Sequence, residues 1–589
     1  MDKTDAVMDL AKRRGFLWPS YEVYGGAAGF FDYGPLGQSM KKRFEDLWRH
    51  VFCNLSAVPM AEISCPRVTP HDVLKASGHV DEFTDLVVKC SNGHPTRADH
   101  LVEGAGYEGT ADALSAEEID AQIKALGATC PICKDTTFTA AAPLNLMNAT
   151  EIGPGSERVG YLRPETAQGI FTDFPHLLRY FRGKLPFGGT QVGGSNRNEI
   201  SPRQGMLRLR EFNMMEAEVF FEDTSAPFPA FEEIAEKTAV FVPHATETAI
   251  EMTFRQAVED HVVANQSLAY FIALTQDFLH KAGMNPDKLR FRQHLPTEMA
   301  HYAQDCWDAE FHSERYGWVE CVGIADRGCY DLQQHAEHST KIGDFQVIVD
   351  LPEPHAFQAR KFVPVMGVLG RTFKAEAKDM AAKLEAVFDQ QVAMLGEHKE
   401  FDAAWLQDEL VINGPKKAVA ATEDLELDGV TIPAEGYQII DGEWKVTGRR
   451  IIPRVIEPSF GVDRILYALW EHAHEQTEKN GEEYTRMRIS PHVSPIQVAI
   501  LPLTGQQVES ARMIEAGLKI SGVITDFDAS GNIGRRYARQ DEVGTPLCIT
   551  VDAETSEDGK VTVRVRDTTE QTRVDIAALM PEIARHFQL

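Results

Sequence analysis

The chain has 589 residues, 43% hydrophobic and 25% charged, a length that exceeds one core and a composition that fits a soluble globular protein of about three or four domains. Its 88 acidic against 59 basic residues give a formal net charge of −29, which argues against a plain nucleic-acid binder and obliges any polyanionic partner to meet local basic patches. Nine cysteines in so long a chain argue against a disulfide scaffold and for reduced thiols or metal ligands. The start, MDKTDAVMDLAKRRGF, has no apolar signal-peptide core, and no run of about 18 apolar residues occurs, so a cytoplasmic location is expected.

In chain order, a GPLG turn at Gly34 opens an amphipathic helix to Leu55, with Met40, Phe44, Leu47, Trp48 and Val51 at helical spacing. The stretch SAVPMAEISCPRVTP then reads as a strand ended by Pro66 and confined to a sheet edge or terminus. Cys90 and His94, followed by Cys130-Pro-Ile-Cys133, have the spacing of two turns presenting four ligands to one tetrahedral ion, a closed structural zinc knuckle. Unliganded thiols are the alternative, and His100 is a weaker substitute ligand. Between the two turns, SAEEIDAQIKAL reads as a helix introduced by Ser115. In YLRPETAQGIFTDF (Tyr161–Phe174), Glu165 stands at a helix entry, where it could serve the helix dipole or a site.

From Gly189 to Phe221 the period-two pattern predicts a hairpin joined by the loop SPRQGM. Ser195, Arg197 and Glu199 share one face with Arg208, Arg210, Phe212, Met214, Glu216 and Glu218, while Leu207, Leu209, Met215, Ala217 and Val219 face the other way. A sheet face this charged is either solvated or a site. A mostly helical insertion is expected over 223–296, and sheet-like sequence over 297–373, where Glu320-Cys321, Ala325-Asp326-Arg327 and Tyr330-Asp331 stand among strand formers. A second insertion is expected at 374–448. Residues 451–470 read as strand, turn and helix: Glu457 and Ser459 share a strand face, Gly461 makes the turn, and Asp463-Arg464 open the helix. A glycine-linked helix N-terminus bearing an arginine suits a polyphosphate, although a surface arginine on a capped helix fits equally. After a charged linker, HEQTEKNGEEYTRMR, the last hundred or so residues predict a small α/β domain with a mixed sheet. There Arg535, Arg536 and Arg539, with Tyr537 between them, form a basic cluster able to bind single-stranded RNA.

These strings meet in one family. Arg197-Asn198-Glu199 with Arg210-Glu211-Phe212 resembles motif 2 of the class II aminoacyl-tRNA synthetases, Glu457-Pro-Ser-Phe-Gly-Val-Asp-Arg464 resembles motif 3, and the helix and strand ending at Pro66 resemble motif 1, the dimer-building motif. RNEISPR, YLRPETAQGIF, SGHVDEF, ADRGCYDL and GRRYARQDE together resemble the homodimeric glycyl-tRNA synthetases, over roughly residues 15 to 580. The resemblance implies an α+β fold: an antiparallel-sheet catalytic domain with helical insertions, and a C-terminal mixed α/β anticodon-binding domain of the class IIa type. The implied layout is 1–83 with motif 1, 84–160 the knuckle insert, 161–222 the core with motif 2, and 223–296 the helical insertion. It continues with 297–373 core strands, 374–448 the second insertion, 449–480 the core with motif 3, and 490–589 the anticodon-binding domain.

The resemblance also implies residue roles. Arg197 would bind the ATP α-phosphate, Glu199 would accept from the adenine amino group, and Phe212 would stack beneath adenine with Arg464 above it near the γ-phosphate; Arg197 and Arg464 are thus the catalytic pair. Arg208 would flank the triphosphate, and Glu320, with Cys321, would contact ATP and ligate magnesium. Asn198, Leu207, Leu209, Arg210, Glu211, Gly461, Val462 and Asp463 complete the ATP set. For glycine it implies Glu165, Glu216 and Glu457 around the ammonium, Ser459 against the α-carbon, Arg97 toward the carboxylate or adenylate, and the neighbours Phe212, Asn213, Met214, Met215, Pro458, Phe460 and Gly461. Implied partners are glycine, ATP with Mg2+, tRNA(Gly), a second copy of the chain and a structural zinc, with no membrane. A synthetase-like accessory protein without activity would be expected to lose the motif arginines or the acidic pocket, and both are present here. A synthetase for proline, threonine or serine would lack the glycine-type strings.

Overall fold

The computed structural model describes residues 2–109, 111, 114–155, 157–200, 202, 205–299, 303–339, 345–397, 401, 403–479 and 481–587. Ser201, Arg203 and Gln204 of the SPRQGM loop thus lie outside the described residues. The described chain divides into two compact units, Met1–His338 with Arg454–Leu589, and Ser339–Pro453.

Among the described residues of the first unit, nine strands form its main sheet: β1 Met60–Glu62, β2 Phe187–Asn196, β3 Glu211–Phe221, β4 Thr238–Val242, β5 Ile250–Thr253, β6 Leu289–Gln293, β7 Asp305–Ser313, β8 Gly317–Gly328 and β9 Arg454–Gly461. Their order across the sheet is β5-β4-β6-β7-β8-β9-β3-β2-β1. The β1–β2 and β4–β6 pairs are parallel and the other neighbours antiparallel. The strand before Pro66 is therefore only three residues long, and it lies at the sheet edge as expected.

One face of the sheet is the core. Met215, Ala217 and Val219 of β3 pack there with Ile456 and Phe460 of β9, Val322 and Ile324 of β8, and Trp307 and Phe311 of β7. Two helices cover this face. α1 (Pro35–Arg49) starts on a proline, which suits a first helical turn, and buries Met40, Phe44, Leu47 and Trp48. α2 (Gln266–Ala282) is capped by Asn265, whose side chain accepts from the Leu268 N–H, and ends at Gly283 in the left-handed conformation, φ 109.

Three sequence expectations change here. The segment 223–296 is not an essentially helical insertion, because β4, β5 and β6 come from it and join the main sheet; its long helix outweighs the short strands in the pattern. The charged stretch is not a linker but two antiparallel strands, His474–Lys479 and Glu482–Met487, with His474 opposite Met487 and Arg486 and Arg488 both donating to Glu475. Arg208 and Arg210 lie outside the period-two strand, which begins at Glu211 after a turn at Gly205–Leu207.

In the second unit, Val347–Pro364 pairs over most of its length with Tyr437–Ile451, and the helix Ala377–Ala393 packs Phe388 against Phe357 and Trp444 of that ribbon. Val347–Pro364 therefore belongs to this unit and not to the core strands expected through 373, since its pairing partner lies there. In the C-terminal part, Thr525–Phe527, Val498–Pro502 and Leu547–Val551 are parallel neighbours, extended antiparallel by Lys560–Val565 and Gln571–Asp575. With the helices Val508–Ile520, Ile533–Val543 and Leu579–Phe587, this is the mixed α/β domain the sequence predicts.

Candidate active site

The sheet face opposite the core carries the polar residues. Register places Met214 opposite Gly461, Glu216 opposite Ser459, Gly323 opposite Ser459 and Ala325 opposite Glu457, so all of these share one face. A cleft on that face is lined by Arg197, Glu199, Leu207, Arg208, Leu209, Phe212, Asn213, Met214, Glu320, Cys321, Gly323, Ser459, Gly461, Asp463 and Arg464, with Met206. The charged hairpin face is thus a cleft wall. Leu207 and Leu209 also line it, because the chain there is a turn and does not alternate.

At one end, the Arg197 guanidinium lies between two rings, 5.1 Å from the centre of Phe83 and 5.4 Å from that of Phe212. Its Nε donates a long, 3.4 Å hydrogen bond to the Pro164 carbonyl. Facing it, Arg464 donates to the Leu207 carbonyl at 3.0 Å and pairs with the Glu320 carboxylate at 3.2 Å. Burial by itself would raise the Glu320 carboxyl, but Arg464 and Arg197 hold it below the usual range. An ionised oxygen donor at a cleft wall fits a hard ion such as Mg2+, which binds through one or two carboxylates and substrate phosphates. The helix after β9, α3 (Val462–Ala473), opens with Asp463, which accepts from the Asn213 N–H at 2.6 Å and from the Tyr33 hydroxyl. Glu199 accepts from Arg208 at 2.5 Å.

At the other end, three carboxylates lie beneath the cleft. Glu216, 1% exposed, accepts from the Thr166 N–H and hydroxyl and, on its other oxygen, from the Ser459 hydroxyl at 2.6 Å. Glu165 pairs with His79 at 3.3 Å and accepts from Gln168 at 3.1 Å. Glu457 pairs with Arg327 at 2.6 Å, and Arg327 also grips Asp331 at 2.8 and 3.0 Å. Burial and the neighbouring Glu216 and Glu165 push Glu457 up to about 7, against the pull of Arg327. Burial and Glu165 likewise raise Glu216, whereas His79, with Arg327 behind it, overcomes burial at Glu165 and holds it well below the usual range. Glu218 is fully buried, and neither oxygen has a hydrogen-bond partner among the described residues. With Glu457 nearby, burial raises it strongly, which favours a neutral acid.

Several expected site residues stand elsewhere. Arg97 pairs with Asp85 at 3.1 Å and with Asp99, outside the cleft lining; Asp85 in turn lies 3.9 Å from Arg208. Met215, Phe460 and Val462 are core residues on the opposite face. Asn198 is exposed, Glu211 pairs with Arg67 at 2.5 Å, and Arg210 donates to the Glu199 and Ala28 carbonyls, so none of the three lines the cleft. Pro458 lies in β9 between two site residues and also does not line it. Sequence reasoning missed His79, Phe83, Thr166 and Arg327, although His79 and Phe83 sit in SGHVDEF and Arg327 in ADRGCYDL.

The cysteine-rich insert brings its four expected ligands together. Cys90 Sγ lies 3.4 Å from His94 Nδ1 and 3.7 Å from Cys133 Sγ, and Cys130 Sγ lies 3.8 Å from His94 Nδ1. A tetrahedral zinc with bonds of about 2.3 Å separates two thiolates by about 3.8 Å, so the donor set and spacing fit Zn2+. His100 is not in this group and lies 3.5 Å from Arg208. The helix Ala116–Ala125 between the turns has the expected cap, with Ser115 and Glu118 forming a reciprocal capping box. The C-terminal basic cluster is divided. Arg535 is exposed, Arg539 pairs with Asp528 at 2.5 Å, and Arg536 is 5% exposed, donating to the carbonyls of Ala529, Gly531 and Pro502. Arg536 thus holds a loop and does not face a ligand. Tyr537 also packs inward, bonded to Thr550 at 2.6 Å under Arg564.

Comparison with known proteins places the chain in a family. A family model described as "Anticodon binding domain" matches residues 497–586. The glycine–tRNA ligase of Methanothrix thermoacetophila is 45% identical over 98% of this chain and 95% of its own length. Those of Methanococcus maripaludis and Methanocaldococcus jannaschii are 43% and 42% identical, covering 99% and 98% of this chain and 99% and 98% of their own lengths. Among solved structures, Giardia lamblia prolyl-tRNA synthetase in complex with prolyl-adenylate superposes with a TM-score of 0.50 at 14% identity, over 98% of this chain and 74% of that one, a likeness of fold.

Proposed function

As the chain belongs to the glycine–tRNA ligase family, we propose that its cleft joins glycine to ATP and then passes the glycyl group to the 3′ end of tRNA(Gly). One juxtaposition carries the reading: Arg197, Phe212 and Arg464 line a cleft together with Ser459, which is hydrogen-bonded to Glu216 of the acidic group Glu165, Glu216 and Glu457. In the first step the glycine carboxylate attacks the α-phosphorus and the bond to pyrophosphate breaks. Arg197 offsets the charge that builds on the α-phosphate, and Arg464 the charge on the departing end. Mg2+ on Glu320 would supply further neutralisation of the phosphates. In the second step the terminal ribose hydroxyl of the tRNA attacks the mixed anhydride and AMP leaves. Positioning and electrostatics account for both steps without a protein general base.

Glycine offers only its ammonium to grip. The acidic floor suits that charge, and the Ser459 hydroxyl, tied to Glu216, would sit against the α-carbon, where a methyl would clash. A clash discriminates better than packing, where one methylene is worth about 1–3 kcal/mol. ATP–pyrophosphate exchange across all twenty amino acids tests the assignment. Exchange with glycine alone supports it, exchange with another amino acid alone reassigns the pocket, and no exchange at all marks an accessory protein.

The glycine KM should depend on pH. The ammonium favours an ionised Glu457, so binding weakens as pH falls through about 7, with KM rising by about tenfold per unit at its steepest. The stability term has the opposite sense. A raised carboxyl stabilises the free protein below the ordinary carboxylate range and loses that contribution as pH rises through about 7, so glycine should raise the melting temperature more at pH 8 than at pH 6.

For tRNA, Arg535 and Arg539 are the proposed contacts. Arg535→Glu should raise the tRNA KM several-fold and flatten its salt dependence while leaving ATP–pyrophosphate exchange intact, whereas Arg536→Ala should lower the melting temperature. We assign a structural zinc to Cys90, His94, Cys130 and Cys133, and the reaction to the cytoplasm, where translation uses its product. A homodimer built through α1 and the edge strand β1 is consistent with exposed Tyr21, Val23, Tyr24 and Leu55 nearby in sequence, and light scattering of the purified chain tests it. Among the described residues no helix is long and apolar enough to cross a membrane.

A further inference from the structure

Two strands from β9, on the same face of the sheet, β7 carries Cys306 and Asp308, alternating with the core residues Trp307 and Ala309. Cys306 is opposite Ala325 and Asp308 opposite Gly323 on β8, and these in turn are opposite Glu457 and Ser459. The chain leaving β6 brings His294 over the pair. Its N–H donates to the Cys306 carbonyl at 2.9 Å, and its Nε2 lies 2.9 Å from Asp308 Oδ1. One ligand atom from each of the three residues lies within 4.8 Å of those of the other two. His294 Nδ1 is buried and has no hydrogen-bond partner among the described residues. Beside them a side chain on Gly323 would meet nothing within 4 Å, so the space over the triad's neighbour is open.

We propose that His294, Cys306 and Asp308 bind one zinc-like divalent cation at the border of the substrate cleft, separate from the Cys90–His94–Cys130–Cys133 cluster. The donor chemistry chooses the class of ion. Mg2+ and Ca2+ take oxygen ligands, whereas imidazole with a thiolate and one carboxylate suits Zn2+ or Co2+. Three protein ligands leave a fourth position for water or another small ligand, unlike the four-ligand cluster of the insert. Tetrahedral spacing needs donors now up to 4.8 Å apart to close by at most about 1 Å, and the 2.9 Å His294–Asp308 pair to open by a few tenths of an ångström, movements within side-chain reach. Asp308 also accepts from Arg292 at 3.2 Å, yet Arg292 keeps Glu298 at 2.8 Å and Glu310 at 3.2 Å, so turning Asp308 to an ion leaves no cation unpaired. Glu310 and Glu320 add negative charge on the same side, which favours a cation further.

The test needs no catalysis. The full chain, stripped with a chelator, is titrated with Co2+ and followed by the thiolate-to-cobalt charge-transfer band, with bound metal counted by equilibrium dialysis. An equivalent is expected that survives Cys133→Ser and is lost in both Cys306→Ser and Asp308→Asn. Its charge-transfer intensity should be about a third of that of the three-thiolate cluster. On the unaltered protein, Zn2+ should slow alkylation of Cys306, read by peptide mass spectrometry, which covers the case in which a variant fails to fold. The proposal is overturned by a chain with no equivalent sensitive to Cys306→Ser, by a second equivalent that persists in Cys306→Ser and Asp308→Asn, or by Cys306 alkylation that Zn2+ does not change.

Discussion

Arg197→Ala is expected to lower glycine-dependent ATP–pyrophosphate exchange by about 10²–10³-fold, the usual loss when one preorganised donor to a developing negative charge is removed. The fall should appear in kcat more than in the glycine KM, because the change leaves Glu165, Glu216 and Glu457 with their own partners His79, Ser459 and Arg327. The rest of the molecule should be indifferent to the change. The guanidinium is held between the rings of Phe83 and Phe212 and by one long contact to the Pro164 carbonyl, and Glu320 retains Arg464 when Arg197 is gone. Melting temperature and oligomeric state are therefore expected to match the unaltered protein. Arg197→Lys should recover only part of the loss, since an ammonium keeps the charge but lacks the planar fork. Near-normal exchange in Arg197→Ala would remove it from the chemistry, and the sandwich between two rings would then be a packing feature.

The parts of the site legible in sequence are those that local pattern fixes. Alternation from Phe212 to Val219 is set by the pleat, and it assigns Met215, Ala217 and Val219 to the core and Glu216 to the cleft. Strand, turn and helix at 454–473 follow from a short apolar run, a glycine and an amphipathic stretch, and they deliver Arg464 to the cleft. The alternation cannot see where a strand yields to a turn, so it does not place Leu207 and Leu209 at the cleft that they line. The capped helix at Ser115 and the four clustered ligands around it are equally local in origin. What stayed hidden depends on contacts between distant segments. His79 matters because Glu165 lies 3.3 Å away, and Phe83 because Arg197 rests on it. Arg536 misleads in the opposite direction: it stands in a basic string, yet four backbone carbonyls consume its charge inside the domain. Composition misled at larger scale as well, since the long helix at 266–282 masked three strands of the main sheet.

Arg327 is the residue whose removal should cost the fold most. It is 2% exposed, pairs with Glu457 at 2.6 Å and Asp331 at 2.8 Å, and lies 5.3 Å over the ring of Phe171. Four carboxyl groups feel its charge: Glu457, Asp331, Glu165 and the unpartnered Glu218. In Arg327→Met the apolar stem survives but the charge does not, and the acids are left to desolvation and mutual repulsion. Breaking a buried pair on one side costs about 3–5 kcal/mol, which in a large domain lowers the melting temperature by about 6–20 °C. The loss should be greatest at high pH. The carboxyls it leaves behind will bind protons more tightly than in an unfolded chain, so lowering the pH should recover stability in the variant. Adding Asp331→Asn to Arg327→Met should return part of the difference, because one of the stranded charges is then neutral. Scanning calorimetry of the two variants at pH 6 and pH 8 checks this, and equal melting of Arg327→Met and the unaltered protein at pH 8 would refute it. The consequence for function follows from the same geometry. With Glu457 freed from Arg327 and more readily protonated, the glycine KM of any folded variant should rise, and its inflection should move above pH 7.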